Sequence, residues 1–214
     1  GLETHVVEFA PRLMPVQLDP VGGDLLKNKI ESLGVRVHVN TATECIVDGE
    51  SALHRMVFKD GEYLETDVIL FSAGIRPEDR LARNAGLNVG ERGGIVIDDS
   101  CRTSHSDVWA IGECALWSGK IFGLVAPGYQ MARAVVAGLL GKEGSFQGAD
   151  MSTKRKLMGV DVGAIGDSHG NTPGSQEVLT LDRKSGVYKK LVVDESGKRL
   201  LGAILVGDNN EYDT

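Results

Sequence analysis

Three stretches of the sequence place an acid or a glycine where a strand gives way to a turn. In Val6-Val7-Glu8 a carboxylate closes a short apolar run. One such carboxylate can accept both hydroxyls of a nucleotide ribose, and its charge disfavours a 2′-phosphate. Ala73-Gly74-Ile75-Arg76-Pro77 ends the apolar run Asp67–Ser72, and a glycine at the carboxyl end of a strand lets backbone approach a ligand. Thr103 to Glu113 ends in Gly112-Glu113, and a helical pattern begins a dozen residues later near Ala126-Pro127-Gly128. An acid there can accept a hydrogen bond from a hydroxylated chain, and the helix start can aim amide hydrogens and its positive dipole end at an electron-rich ring oxygen.

Each stretch also has a plainer account. Glu8 alone reads as a solvated strand-edge acid, because the G-x-G-x-x-G that completes a dinucleotide signature occurs nowhere in the sequence. Ala73-Gly74 reads as a tight turn, and Met131, Ala134, Val135 and Leu139 as a core stripe. Arg12, shortly after Glu8, leaves acceptance of a 2′-phosphate open.

Other chemistry has less support. Gly166-Asp167-Ser168-His169-Gly170 matches the G-x-S-x-G nucleophile elbow, but the elbow needs a helix directly after the serine. Asn171-Thr172-Pro173-Gly174 follows instead. The histidines His5, His38, His54, His105 and His169 show no metal-ligand spacing, and Walker A is absent. Cys45, Cys101 and Cys114 form no C-x-x-C, so neither a zinc site, a disulfide relay nor a four-cysteine iron–sulfur centre is indicated.

The elements that must position these groups alternate at first. Val6–Phe9 reads as a strand, and Leu25, Leu26, Ile30 and Leu33 give helical spacing over Gly22–Ser32, stopped by Gly34. Val35–Val39, Glu44–Asp48, Leu53–Lys59 and Tyr63–Leu64 read as strands, with a hairpin turn at Lys59–Glu62. Asp67–Ser72 is apolar almost throughout, the pattern of a strand buried on both faces. A short helix is expected at Asp79–Ala85, strands at Gly94–Asp98 and Asp107–Ile111, and a helix over Pro127–Leu140 closed by Gly141. The tail changes to strand signals at Leu157–Ile165, Glu177–Asp182, Val187–Asp194 and Leu200–Val206, with turns at Lys184–Gly186 and Glu195–Gly197.

Composition bounds the class. The 214 residues are 42% hydrophobic and 25% charged, which excludes a disordered or fibrous chain. Ala134–Leu140 is far shorter than the roughly 20 apolar residues of a membrane span. With 23 basic against 30 acidic residues the net charge is −7, and no basic block offers a footprint for nucleic acid. Cysteine usage fits a reducing, cytoplasmic setting. The 28 glycines imply many tight turns and close backbone approaches. The abrupt start at Gly1-Leu2 reads as a piece of a longer protein.

Together Glu8–Met14 after a strand, Ser72–Pro77 and Thr103–Glu113 resemble FAD-dependent pyridine-nucleotide oxidoreductases of the ferredoxin- and rubredoxin-reductase type. Gln17-Leu18-Asp19 before Gly22-Gly23, Glu113 within Ala110–Cys114, and the tail Ser152–Val162 with Gly166–Gly170 and Leu201–Gly207 are similar to the nitrite-reducing branch. The resemblance implies an α/β chain holding parts of FAD/NAD(P)-binding Rossmann-like domains plus a small, mostly antiparallel C-terminal α+β domain. The implied pieces are a partial NAD-binding domain (1–74), a partial FAD-binding domain (75–149) and the C-terminal domain (150–214).

It further implies FAD and NADH as cofactors. Glu8 would contact the adenosine ribose, and Ala73 and Gly74 the nicotinamide side. Gly112 and Glu113 would meet the ribityl-phosphate region, and Val125 and Ala126 would face the isoalloxazine. NADH and nitrite would be the small-molecule partners. The rest of the same chain would carry an iron–sulfur cluster and sirohaem, and a small subunit or homodimer would be a further partner. Alone, the 214 residues are expected to bind FAD weakly or not at all. A rubredoxin reductase or NADH oxidase of the same fold, and a non-catalytic interaction module, are the competing readings.

Overall fold

The first helix begins at Asp19, whose carboxylate accepts the Gly22 amide at 2.9 Å, with Pro20 at the first helical position. That pairing of cap and proline is a strong local start signal. The computed structural model describes residues 1–213. The elements in its first half are β1 (Thr4–Val7), α1 (Pro20–Glu31), β2 (Val35–His38), β3 (Thr43–Asp48), β4 (His54–Phe58), β5 (Tyr63–Thr66), α2 (Arg80–Asn84) and β6 (Ile95–Ile97). A 3₁₀ turn (Gly112–Cys114), β7 (Ala115–Trp117) and α3 (Val125–Leu139) follow. The tail holds β8 (Thr153–Leu157), β9 (Val160–Gly166), β10 (Gln176–Asp182), β11 (Val187–Val193) and β12 (Leu200–Val206).

One unit combines residues 1–70 with those from 151 onward. In it β1 pairs with β2 in parallel, with Val7 opposite His38 and α1 connecting them. The strands β3, β4 and β5 form a separate antiparallel sheet. The tail makes a five-stranded antiparallel sheet in the order β10-β11-β12-β9-β8. One core joins the early and late segments. Leu18, Leu26 and Ile30 are buried with Val35 and Val37, and against Val162, Tyr188, Ile204 and Val206 of the tail sheet.

The other unit comprises residues 71–150. Its parallel pair β6–β7 and helix α3 enclose Ile97, Cys101, Ala115, Phe122, Met131, Ala134 and Phe146. Phe122 and Phe146 meet edge to face with centroids 5.4 Å apart, a favoured aromatic geometry. Burial, with Asp98 and Asp99 nearby, pushes the Cys101 thiol up to about 11, so this cysteine is inert.

Several elements differ from their sequence reading. Asp67–Ser72 forms no strand, and Val68, Leu70 and Phe71 are exposed at 80%, 90% and 71%. An apolar run becomes a buried strand only with neighbours to pair its backbone, and the described residues bring none alongside. Asp107–Ile111 is likewise no strand. Its pairing reduces to a single bridge between Arg102 and Trp109, because Val108 closes a turn onto His105. Leu157–Ile165 is two strands: Met158 and Gly159 take φ of 47° and 85°, a two-residue hairpin turn that splits the run. Helices α1 and α3 start two residues earlier than expected, at Pro20 and Val125.

Candidate functional site

Glu8 stands one residue beyond β1 and is held from both sides. Its N–H donates to the His38 carbonyl at 2.8 Å, and its own carbonyl accepts the Thr41 amide at 3.0 Å. The half-buried carboxylate turns back over the loop start, where Oε1 accepts the Ala10 amide at 2.9 Å. The backbone of the acid is therefore rigid while Oε2 remains for a ligand hydroxyl.

The loop after Glu8 closes on itself. Arg12 Nε donates to the Leu18 carbonyl at 2.8 Å, and Nη2 reaches the Pro15 carbonyl at 3.4 Å. Its aliphatic stem lies over α1, where a Cβ added to Gly23 would come within 2.9 Å of Arg12 Cβ. Glycine at 23 is thus what lets Arg12 lie flat, and the guanidinium is engaged by its own loop rather than aimed at Glu8.

In residues 71–150, Gly112 takes φ +79°, a conformation that favours glycine. Its N–H donates to the Met131 sulfur at 3.3 Å, and a Cβ on Gly128 would lie 3.3 Å from Gly112 Cα. Gly112 therefore rests against the first turns of α3. Glu113 is exposed in the same 3₁₀ turn. Helix α3 starts after Leu124 with no side-chain cap, and Val125 and Ala126 are exposed at its first turn. Its leading amides are open to an acceptor. Ala73 and Gly74 lie in exposed chain outside helix and strand, with Gly74 at φ +82°. The structure thus brings Gly112 against Gly128 and Met131 of α3, the helix that begins with Val125 and Ala126, while Glu8 belongs to the other unit.

The elbow-like segment has no catalytic geometry. Ser168 is buried, and Asp167 accepts the Asn171 amide at 2.9 Å and the Thr172 amide at 2.7 Å. The His169 ring reaches Val16 rather than Ser168. Among the described residues, no group of three or more His, Cys, Asp or Glu side chains is placed to hold a metal ion. No helix among them is long and apolar enough to cross a membrane.

One polar cluster was not anticipated from sequence. Lys190, only 3% exposed, lies 2.7 Å from Glu177 and 3.4 Å from Asp19. The Tyr188 hydroxyl donates to Asp19 at 2.7 Å. Burial pushes the Asp19 carboxyl up, but the Gly22 amide, Tyr188 and Lys190 together hold it below the ordinary carboxylate value. The signal was present: Tyr188, Lys190 and Val192 alternate along β11, so a strand facing the core there must carry the lysine inward.

Residues 1–138 match the family described as pyridine nucleotide-disulphide oxidoreductase, and residues 152–214 match the rubredoxin NAD+ reductase C-terminal domain. The chain is 57% identical over 213 residues to the nitrite reductase (NADH) large subunit of Escherichia coli, covering 99% of this chain and 25% of that protein. It is 60% identical to the nitrite reductase [NAD(P)H] large subunit of Klebsiella oxytoca, covering 100% of this chain and 22% of that one. It therefore spans about a quarter of these relatives. A NAD-dependent persulfide reductase from A. fulgidus superposes with a TM-score of 0.81 at 26% identity, over 99% of this chain and 42% of that one. The fold is that of FAD/NAD-binding oxidoreductases with a C-terminal antiparallel sheet.

Proposed function

This chain belongs to the pyridine nucleotide-disulphide oxidoreductase family, and from that premise we propose that it is part of the NADH-to-FAD electron-input region of a longer enzyme reducing nitrite to ammonium. The observation that carries the reading is identity of 57% and 60% along essentially the whole chain to nitrite reductase large subunits. In this reading residues 1–74 are a partial NAD-binding domain, 75–149 a partial FAD-binding domain, and 150–214 the small C-terminal domain. The remaining protein carries the iron–sulfur cluster and sirohaem; the three cysteines here, one of them buried, do not fit a four-thiolate centre. A small subunit or second copy completes the assembly, in the cytoplasm.

The residues present fit both nucleotides. Glu8 offers Oε2 to a ribose hydroxyl pair, and the engagement of Arg12 by Leu18 and Pro15 leaves that acid to disfavour a 2′-phosphate. For FAD, the close approach of Gly112 to Gly128 puts backbone beside the uncapped start of α3. Glu113 accepts from the ribityl chain, and the amides of Val125 and Ala126 with the helix dipole favour negative charge on the flavin. Ala73 and Gly74 give the nicotinamide side a wall without bulk. Bound flavin supplies a ring that accepts a hydride and passes electrons on singly. The chain's own residues bind and orient, and hydride transfer between the two rings needs no acid or base from them.

The test is the intact protein assayed for NADH-dependent loss of nitrite with ammonium formed. NADH oxidation coupled only to rubredoxin, ferredoxin or dioxygen, with no ammonium, overturns the reading in favour of another reductase of this fold. For the 214 residues alone, an FAD titration is expected to show weak binding or none.

A further inference from the structure

The loop that follows Glu8 is tied down from the far end of the chain. His169 Nε2 lies 2.8 Å from the Val16 carbonyl across 153 positions of sequence. A carbonyl only accepts, so Nε2 carries the proton. The turn that presents His169 is itself fixed. Asp167 accepts the Asn171 and Thr172 amides and the Thr172 hydroxyl at 2.6 Å, and its N–H donates to the Leu201 carbonyl of β12 at 2.9 Å. A second tie lies at the end of the loop, where Asp19 takes the Tyr188 hydroxyl and the Lys190 ammonium from β11. The loop also has anchors of its own: Arg12 donates to the Leu18 and Pro15 carbonyls, and the Gln17 and Leu18 amides donate to the Met14 carbonyl. Leu13 and Leu18 enter the shared core, but Phe9 and Val16 are exposed at 79% and 76%.

We propose that the C-terminal sheet acts as a clamp on the nucleotide-carboxylate loop, with His169 as a positioning residue for NADH binding. The inference rests on the reading of Glu8 as the adenosine-ribose acid. Glu8 holds the Ala10 amide, and Ala10 holds the Asn40 amide through its carbonyl, so Glu8 and the loop start are one hydrogen-bonded unit. The stretch from Pro11 to Gln17 has no helix or strand to shape it. A loop preformed by the clamp need not be ordered when the adenosine end arrives, and a released loop must be. The loss falls on binding, so it appears in KM and leaves kcat in place. The Gly166–Gly170 segment, which mimics a nucleophile elbow, has this clamping role instead: its acid shapes the turn and its histidine reaches across.

The experiment uses the intact enzyme. His169→Ala is expected to raise amide hydrogen exchange in peptides covering Arg12–Leu18. It is expected to raise KM for NADH about 2- to 10-fold, the worth of one hydrogen bond, with kcat unchanged. His169→Gln, which keeps an N–H donor, is expected to restore both. Unchanged exchange, or raised exchange with unchanged KM, overturns the clamp; so does a fall in kcat without a rise in KM. Glu8→Ala is run beside it: an unchanged KM there defeats the ribose assignment alone, because the His169 exchange and KM results still decide the clamp.

Discussion

The imidazoles of His5 and His38 meet head-on across the parallel pair β1–β2. Their rings lie within 9° of parallel, His5 Nδ1 is 2.9 Å from His38 Nε2, and the centroids are 5.2 Å apart. Two ring radii account for the difference between those distances, so the rings lie end to end along the hydrogen bond and are not face-stacked. His5 Nε2 sits 3.3 Å from the Glu3 carboxylate, which only accepts. Nε2 therefore bears a proton in His5, and Nδ1 accepts from His38 Nε2–H.

A proton added to His38 enters at Nδ1, which leaves the Nε2–H bond to His5 in place but puts a positive charge in a half-buried site. Burial first, then His5 and Arg36, hold the His38 pKa below the ordinary histidine value; Lys27 acts in the same sense and Glu31 opposes it. The unfolded chain takes up this proton near pH ~6.5 and the folded chain resists it, so stability is full above that pH and falls as pH drops below it. Urea midpoints at pH 7.5 and 5.5 should show the fall, and His38→Gln should reduce it. Equal pH dependence in the two proteins would remove His38 as the cause.

Glu8→Gln keeps an oxygen for the Ala10 amide but removes the charge. In the intact enzyme it should raise KM for NADH about tenfold or more, the effect of losing charge-assisted hydrogen bonds. KM for NADPH should fall, since repulsion of the 2′-phosphate is relieved. Steady-state kinetics with both nucleotides checks the pair of effects, and parallel changes for both would contradict a ribose role.

What sequence reasoning could reach follows from the range of the interactions. The place of Glu8 at the end of a strand was legible because a strand-end acid is a local pattern, and so were the turns at Gly61, Gly186 and Gly197, each with positive φ. The break at Met158-Gly159 was missed because the apolar pattern continues through it into Val160 and Val162. Asp67–Ser72 misled because pattern reports what a segment could bury, while burial needs a neighbour. The tie between His169 and Val16 and the meeting of Asp19 with Lys190 join residues far apart in sequence. Neither has a local signature; both depend on how α1 packs on the tail sheet.

Gly112→Ala tests the backbone beside α3. No atom lies within 4 Å of the added Cβ, so the cost is conformational, at φ +79°. A loss of about 1–2 kcal/mol in unfolding free energy is expected. Gly128→Val adds a steric push on Gly112 Cα, 3.3 Å from its Cβ position, and should lower the flavin content of the purified intact enzyme more than Gly112→Ala does. Flavin absorbance per protein measures this, and full occupancy in Gly128→Val would show that the approach is not needed.

The cluster of Asp19, Lys190, Glu177 and Tyr188 is best probed as a coupled unit. Lys190→Met leaves Asp19 buried without its cation, but the Gly22 amide and Tyr188 still serve the carboxylate, and Glu177 is open to water. The expected cost is therefore about 1–3 kcal/mol, below that of breaking a fully enclosed pair. Asp19→Asn keeps an N-cap oxygen for Gly22 and removes the charge that Lys190 faces. In the Asp19→Asn background Lys190→Met should cost less than it does alone, because no orphaned carboxylate remains. A double-mutant cycle by urea denaturation reads that difference directly. Strict additivity would mean that Lys190 serves Glu177 alone and that the tie between the helix cap and the tail sheet runs through Tyr188.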